Sequence, residues 1–138
     1  MSNYVYITVV LFALLMLSGC AYTTDLADKP QFRELTAGPS QTKRQLRLYD
    51  INYQSGAGRT RYNLTTVDQG ADALIAFIPA GHPVKLNHVY VHHDLGGAWG
   101  QAVGEIIVNG RTYPFGFYMG SSLSEAPGRL LKAFEVSP

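Results

Sequence analysis

The feature that most constrains this fold is a set of short strand-like runs separated by glycine-containing turns. The clearest pair flanks Asn109-Gly110, where "EIIV" (Glu105 to Val108) precedes the dipeptide and "RTYPFGFYM" (Arg111 to Met119) follows it. Asn-Gly between two such runs is a strong β-hairpin signal, because both central residues of a type I′ turn need a positive φ. The sequence therefore predicts an antiparallel hairpin here.

The second arm of this hairpin alternates in character. Tyr113, Phe115, Phe117 and Met119 are separated by smaller or more polar residues, so a strand would direct them to one face and into the core. Pro114 cannot donate a ladder hydrogen bond, which predicts an edge strand or a bulge.

Other runs predict further strands. "LRLYDINY" (Leu46 to Tyr53) and "RTRYNLTTV" (Arg59 to Val67) flank a glycine-containing loop and predict a second hairpin. "ALIAFI" (Ala73 to Ile78) is apolar without alternation, which predicts a central strand covered on both faces. "VKLNHVYVHH" (Val84 to His93) predicts another strand. "RLLKAFEV" (Arg129 to Val136) fits a short helix or a final strand, and we favour the strand.

About seven short strands without a long helix predict an all-β fold, a small antiparallel β-sandwich or barrel. The 138 residues suggest one domain, and 46% hydrophobic with only 15% charged residues is enough for a core. One cysteine cannot form an internal disulfide, so the core alone must hold the domain. We place this β-rich domain at residues 45–138.

An apolar run, "VYITVVLFALLML" (Val5 to Leu17), lies near the N-terminus. As a helix it would span roughly 20 Å, which is short of the roughly 30 Å hydrocarbon core of a bilayer. A cleaved secretory signal fits this length better than a spanning helix does.

The sequence Leu17-Ser18-Gly19-Cys20 ends this segment with the only cysteine of the chain. It resembles the lipobox of bacterial lipoproteins: Leu, two small residues and the Cys that defines the class. The resemblance implies that residues 1–19 are a signal peptide and that the Cys20 thiol receives a diacylglyceryl group. It also implies that the new amino terminus is acylated. The n-region "MSNY" differs from the class in having no Lys or Arg. The alternative is a buried cysteine that ends a core or membrane helix.

The resemblance also implies a location in the bacterial cell envelope. Ala21 follows the cysteine, and by resemblance to enterobacterial lipoproteins the absence of Asp there favours the outer membrane. Residues 20–44 are then the lipidated cysteine and a flexible tether, which is polar and contains two prolines. One short turn is expected near Gln31 to Leu35.

The partners expected are the membrane, through the lipid anchor, and another envelope protein. A formal charge of +1 provides no strong field that would select nucleic acid, so none is expected as a partner. The domain would support the assembly or stability of an envelope complex without catalysis. No catalytic residue is predicted, since the chain has no G-x-S-x-G elbow and its one thiol is the expected lipid site.

Four histidines lie within twelve positions and are followed by an acid: His82, His88, His92, His93 and Asp94. Imidazole and carboxylate are metal ligands, but strand spacing would separate His88 from His92 by about 13 Å. Surface histidines that bind only water and backbone are the simpler interpretation, so no metal or cofactor is predicted.

The segment "DLGGAWG" (Asp94 to Gly100) predicts a glycine-rich loop with Trp99 as a packing anchor or an exposed contact residue. The candidate interface or ligand contacts are therefore His92, His93, Asp94 and Trp99. Two alternatives use this region. The protein could bind a ligand or metal there, or it could inhibit a hydrolase such as lysozyme through this loop.

Overall fold

The computed structural model describes residues 7–10, 21–51, 60–70 and 73–138. Of these residues, 52% are in strands and 18% in helices, which confirms the mostly-β fold. The strands form one nine-stranded sheet that curls into a half-barrel. Residues 7–10 are helical. The lipobox and Cys20 lie outside the described residues.

The labelled elements follow one another along the chain in this order. They are β1 (Tyr22–Asp25), α1 (Pro30–Ala37), β2 (Ser40–Thr42), β3 (Leu46–Asp50), β4 (Tyr62–Thr65), β5 (Leu74–Ile78), β6 (Pro83–Asp94), β7 (Gly97–Val108), β8 (Arg111–Gly120), α2 (Ala126–Ala133) and β9 (Phe134–Val136).

The strand order is β5-β3-β4-β8-β7-β6-β2-β9, and β1 pairs with β6 beside this path. The predicted pairing of β3 with β4 is confirmed as antiparallel; residues 52–59 of the intervening loop lie outside the described residues. One pair is parallel: β4 joins β8 through Tyr62 opposite Phe115 and Asn63 opposite Gly116. The sheet is therefore mixed, although its other recorded pairs are antiparallel.

The Asn-Gly hairpin is confirmed as β7 and β8. Asn109 has a φ of 50° and Gly110 a φ of 78°, as a type I′ turn requires. Phe115, Phe117 and Met119 are buried in the core, as the alternation predicted.

The arm that contains Pro114 carries one of the two predicted features, because its register against β7 shifts between Tyr118 and Gly120, opposite Gln101 and Gly100. The other prediction, an edge strand, was wrong. β8 lies between β4 and β7, and Pro114 faces Glu105 in regular register. Among the described residues, β4 pairs with β8 only at Phe115 and Gly116, so Pro114 lies just before the stretch in which β8 has two described neighbours. A proline is compatible with that position.

The glycine-rich segment after β6 is a hairpin, which corrects the predicted loop over Asp94 to Gly100. Leu95 and Gly96 form a two-residue turn, and β7 begins at Gly97 opposite Asp94. Backbone pairing with β6 holds these residues in the sheet despite the low strand propensity of glycine.

Among the strands that the structure describes, β5 lies at one end of the order and pairs with β3 alone, so the prediction of a central, doubly covered strand was wrong. Phe77 is 56% exposed, and the Arg47 guanidinium lies 5.7 Å from the centre of its ring. A cation over an aromatic face remains favourable at an exposed site.

Residues 22–42 belong to the folded domain, which corrects the expected flexible tether over residues 20–44 for that stretch. They form β1, α1 and β2, and the side chains of Phe32 and Leu35 on α1 are 1% and 3% exposed. Ser40 donates to the Leu35 carbonyl at 2.8 Å. The turn expected near Gln31 to Leu35 is thus an eight-residue helix whose apolar side completes the core.

The C-terminal segment combines the two structures considered for it. α2 covers Ala126–Ala133 and β9 covers Phe134–Val136, so the favoured strand was wrong for residues 129–133 and correct for the last three. Leu130 and Ala133 are buried at helical spacing, and Phe134 packs edge-to-face on Phe117. The core thus receives side chains from both helices as well as from the inner face of the sheet.

Candidate functional site

An aromatic and polar row lies on the face of β6 and β7 away from the core. Because successive strand residues point to opposite faces, Val89 and Val91 enter the core while Tyr90 and His92 do not. His92 lies opposite Trp99, and Tyr90 lies opposite Gln101. The pairing of these two strands therefore assembles the row.

His92 is held from both sides and is 9% exposed. Its Nε2 lies 3.1 Å from Oε1 of Gln101 and its Nδ1 lies 3.0 Å from Oγ1 of Thr23. An amide oxygen can only accept, so Nε2–H donates to Gln101, and in the neutral ring Nδ1 accepts from the Thr23 hydroxyl. The hydrogen bonds fix both the tautomer and the orientation of the ring.

Trp99 rests on this fixed imidazole. The two ring centroids are 4.2 Å apart at an interplanar angle of 29°, and the Tyr118 ring lies 6.0 Å from the indole on β8. Trp99 also lines a cavity of about 470 Å³. The residues around it are Ile51, Thr60, Asn63, Gln69, Asp94, Gly96, Gly97, Ala98, Trp99, Gln101, Tyr118 and Ser121.

The cavity is lined mainly by uncharged polar groups. Asn63 donates from Nδ2 to Oε1 of Gln69 at 3.1 Å, and the hydroxyls of Tyr118 and Ser121 lie 2.9 Å apart. Asp94 accepts the Gly96 N–H through Oδ1 at 2.8 Å and provides the one carboxylate among the described lining residues. The amides, hydroxyls and carboxylate of these residues each have further donors or acceptors that a ligand could use.

Three of the four predicted contact residues lie at or behind the cavity, and the fourth does not. Asp94 and Trp99 line the cavity, and His92 lies behind Trp99. His93 is one residue further along β6 and stacks on Tyr22 of β1 with centroids 4.2 Å apart. The structure thus brings three of the four together and separates His93 from them.

The sequence interpretation missed several further residues of the site, which are Ile51, Thr60, Asn63, Gln69, Gln101, Tyr118 and Ser121. One local signal was present, since Trp99 and Gln101 stand two residues apart and share a face once β7 is a strand. Asn63 and Tyr118 come from strands that are remote in sequence.

The remaining histidines have individual partners. His82 Nε2 lies 2.8 Å from the Ile107 carbonyl oxygen, and His88 Nδ1 lies 2.7 Å from Oδ2 of Asp25. The Tyr90 ring is near both His88 and His92, at 5.1 and 5.8 Å. Across the described ranges, no three His, Cys, Asp or Glu side chains are grouped as metal ligands would be.

The Asp25–His88 pair joins β1 to β6. Burial acts to raise the pKa of the Asp25 carboxyl, but hydrogen bonds from the Ala27 N–H and from His88 outweigh it and hold the pKa below 3.8. The carboxylate form is therefore favoured in the folded protein, and this hydrogen-bonded pair lies on the same two strands as Thr23 and His92.

A second cavity, of about 680 Å³, lies where α1 and β2 meet β6 and β7. His82 is its one candidate residue from the sequence, and Val84, Pro83 and Ile107 give it an apolar wall. Its described lining residues include no Trp, Tyr or Phe and no side-chain amide. We therefore take the cavity beside Trp99 as the candidate site.

Comparison with known proteins finds no matching family model, no matching curated protein and no matching solved structure. In the ranges that the structure describes, no helix has the length and hydropathy needed to cross a bilayer.

Proposed function

We propose that this chain is a lipid-anchored accessory protein of the bacterial cell envelope, held in the outer membrane, which works by noncovalent binding and not by catalysis. The anchor rests on Leu17-Ser18-Gly19-Cys20, because a thiol after two small residues is what lipid transfer to this class uses. Two or more acyl chains are needed for stable anchoring, and a fully processed lipoprotein carries them.

The observation that carries the binding role is the cavity beside Trp99. The Trp99 indole stacks on the imidazole of His92. Hydrogen bonds with Thr23 and Gln101 hold this imidazole in one orientation. A site whose side chains are already ordered loses less conformational entropy when a partner binds. A concave site with an aromatic wall and several convergent polar groups is typical of a binding pocket.

The hydrolase-inhibitor alternative receives less support. It required a protruding loop over Asp94 to Gly100, and the structure has a two-residue turn followed by β7 at this position. The ligand-binding alternative uses the same cavity.

The anchor is tested with the full chain expressed in a Gram-negative host. We expect wild-type protein to fractionate with outer membranes and to incorporate an alkyne-labelled fatty acid, and Cys20→Ser to lose both. Ala21→Ser is the matched control, since it changes the next residue and keeps the thiol. Equal membrane recovery and labelling of Cys20→Ser would refute the anchor.

The binding role is tested by a photo-crosslinking amino acid placed at Ser121, which lines the cavity. We expect it to capture an envelope component in intact cells. Val136, exposed on the short strand β9, is the control position. We expect none of the crosslinked products from Ser121 to form from Val136. Identical products from both positions, or none from Ser121, would contradict a binding role for the cavity.

A further inference from the structure

We propose that the cavity beside Trp99 binds a neutral saccharide unit of an envelope glycan. This inference rests on the proposed binding role and specifies its ligand class. A pyranose ring presents a C–H face that packs on an aromatic plane and a rim of hydroxyls that both donate and accept hydrogen bonds.

The aromatic part of the site fits the first requirement. Trp99 lines the cavity with Tyr118 beside it, and large aromatic surfaces provide contact area at small entropic cost. The Trp99 indole N–H has no hydrogen-bond acceptor among the described residues, so it can donate to a ligand oxygen.

The polar part fits the second requirement. Asn63, Gln69 and Gln101 are amides, which donate and accept at one planar group, as neighbouring hydroxyls do. Tyr118 and Ser121 add hydroxyls. Among the described residues that line this cavity, none is Lys or Arg. Their chemistry matches a neutral polyhydroxylated ligand.

The site is built by close packing around one glycine. A Cβ at Gly116 would lie 2.5 Å from Nε2 of Gln101 and would overlap Oγ1 of Thr60. The absence of a side chain at Gly116 therefore allows both groups to lie across β8. Gln101 in turn accepts from His92, which supports Trp99. The indole and the amide are thus held in one arrangement.

The size of the cavity agrees with this assignment. A volume of about 470 Å³ lies within the range of roughly 300–1,000 Å³ that is typical of small-molecule sites. It is large enough for a sugar ring with substituents, whereas a folded protein partner would need a far larger contact area.

The chain contains a single tryptophan, so the emission of Trp99 reports the site directly. The full-length lipidated protein in detergent is titrated with N,N′,N″-triacetylchitotriose, cellotriose and maltotriose up to about 10 mM, which covers millimolar Kd values. We expect a saturable change in emission with at least one of them, and calorimetry should give the same Kd. No saturable change with any of the three would overturn the proposal.

Two variants separate binding at this cavity from a nonspecific change. Asn63→Ala removes one amide, and loss of one hydrogen bond should weaken binding roughly three- to tenfold. Asn87→Ala is the matched control on β6, outside the lining residues, and should bind as wild type does. Equal weakening by both would overturn the assignment.

Trp99→Leu removes the aromatic plane and is measured by calorimetry, since it also removes the reporter. We expect binding to be lost and Trp99→Phe to restore part of it. Thermal unfolding of each variant shows whether it is folded. If Trp99→Leu is not, the Asn63→Ala and Asn87→Ala pair decides the question.

The outcomes for the two proposals are distinguishable. If Ser121 captures a protein and no trisaccharide binds, the cavity is a protein-binding site, so the saccharide inference fails and the accessory role remains. If a trisaccharide binds but Cys20→Ser leaves membrane recovery unchanged, the lipid anchor fails and the saccharide site stands.

Discussion

The imidazole of His92 and the indole of Trp99 are stacked across β6 and β7 with their centroids 4.2 Å apart. Because the imidazole is hydrogen-bonded on both nitrogens, it is a fixed support and cannot rotate away without breaking two bonds. The position of Trp99 therefore depends on a residue that lies behind the cavity.

His92→Ala tests this dependence. Losing the buried ring leaves a void and removes two hydrogen bonds, so we expect a loss of about 2–3 kcal/mol in the free energy of unfolding. Trp99 emission should also shift to the red as water reaches the indole. Urea unfolding followed by fluorescence measures both. His93→Ala, which removes a stack on the exposed Tyr22, should change stability by less; a larger effect there would contradict this account.

Asp25 makes stability depend on pH at the acidic end. Its folded-state pKa is below 3.8 because the Ala27 N–H and His88 outweigh the opposing effect of burial. Its contribution is therefore complete above the unfolded-state pKa and is lost as the pH falls through the lower, folded-state value.

We expect the free energy of unfolding of wild type and Asp25→Asn to differ at pH 6 and to converge in acid, as measured by urea titrations at stepped pH. Asp28→Asn is the control, since the described residues provide no hydrogen-bond partner for the Asp28 side chain. A constant difference between wild type and Asp25→Asn at every pH would show that the carboxylate does not stabilise β1.

Phe32 tests whether residues 22–42 belong to the domain. Its side chain is almost fully buried in the core, so Phe32→Ala should destabilise the protein by about 3–5 kcal/mol. Gln31→Ala, at the adjacent exposed position of α1, should change it by less than about 0.5 kcal/mol. If both variants unfold at the wild-type urea concentration, α1 is not part of the cooperative core.

Gly104 tests the close approach of β7 to the irregularity in β6 between Leu86 and His88. A Cβ at Gly104 would overlap the Lys85 carbonyl oxygen and lie 3.0 Å from its carbonyl carbon. Since both are backbone atoms, Gly104→Ala should cost about 3 kcal/mol or more. Gly128→Ala in α2 meets nothing within 4 Å and should instead stabilise by about 0.5–1 kcal/mol. Equal thermal midpoints for the two variants would refute the clash.

The β7–β8 hairpin could be predicted because its signal is local: Asn109 and Gly110 specify the turn through their own backbone preferences. The position of β5 could not. The apolar run at β5 indicates that burial of this segment is favourable. It does not indicate which strands lie beside it, because that depends on the pairing of the whole sheet. The same limit applies to Gly97, which pairing with β6 holds in a strand that its propensity alone disfavours.

The site was predictable to a similar degree. Asp94 and Trp99 stood out because of residue type and neighbouring glycines. Asn63 and Tyr118 did not, because they meet these residues only through the parallel pairing of β4 with β8 and the pairing of β8 with β7. Parallel neighbours need a long connection, so no short sequence pattern predicts their partnership.

The early start of β1 would limit the distance between the domain and a bilayer if Cys20 carried a lipid. Tyr22 is two residues after Cys20 and is paired with His93, and two extended residues span at most about 7 Å. A lipid on Cys20 would hold the sheet close to the lipid headgroups. The end of β6 that carries Asp94 would then lie near the membrane. To bind a molecule farther from the bilayer, the protein would have to separate β1 from β6. That separation would break the Asp25–His88 pair. With a lipid on Cys20, the cavity would therefore meet its ligands at the membrane surface.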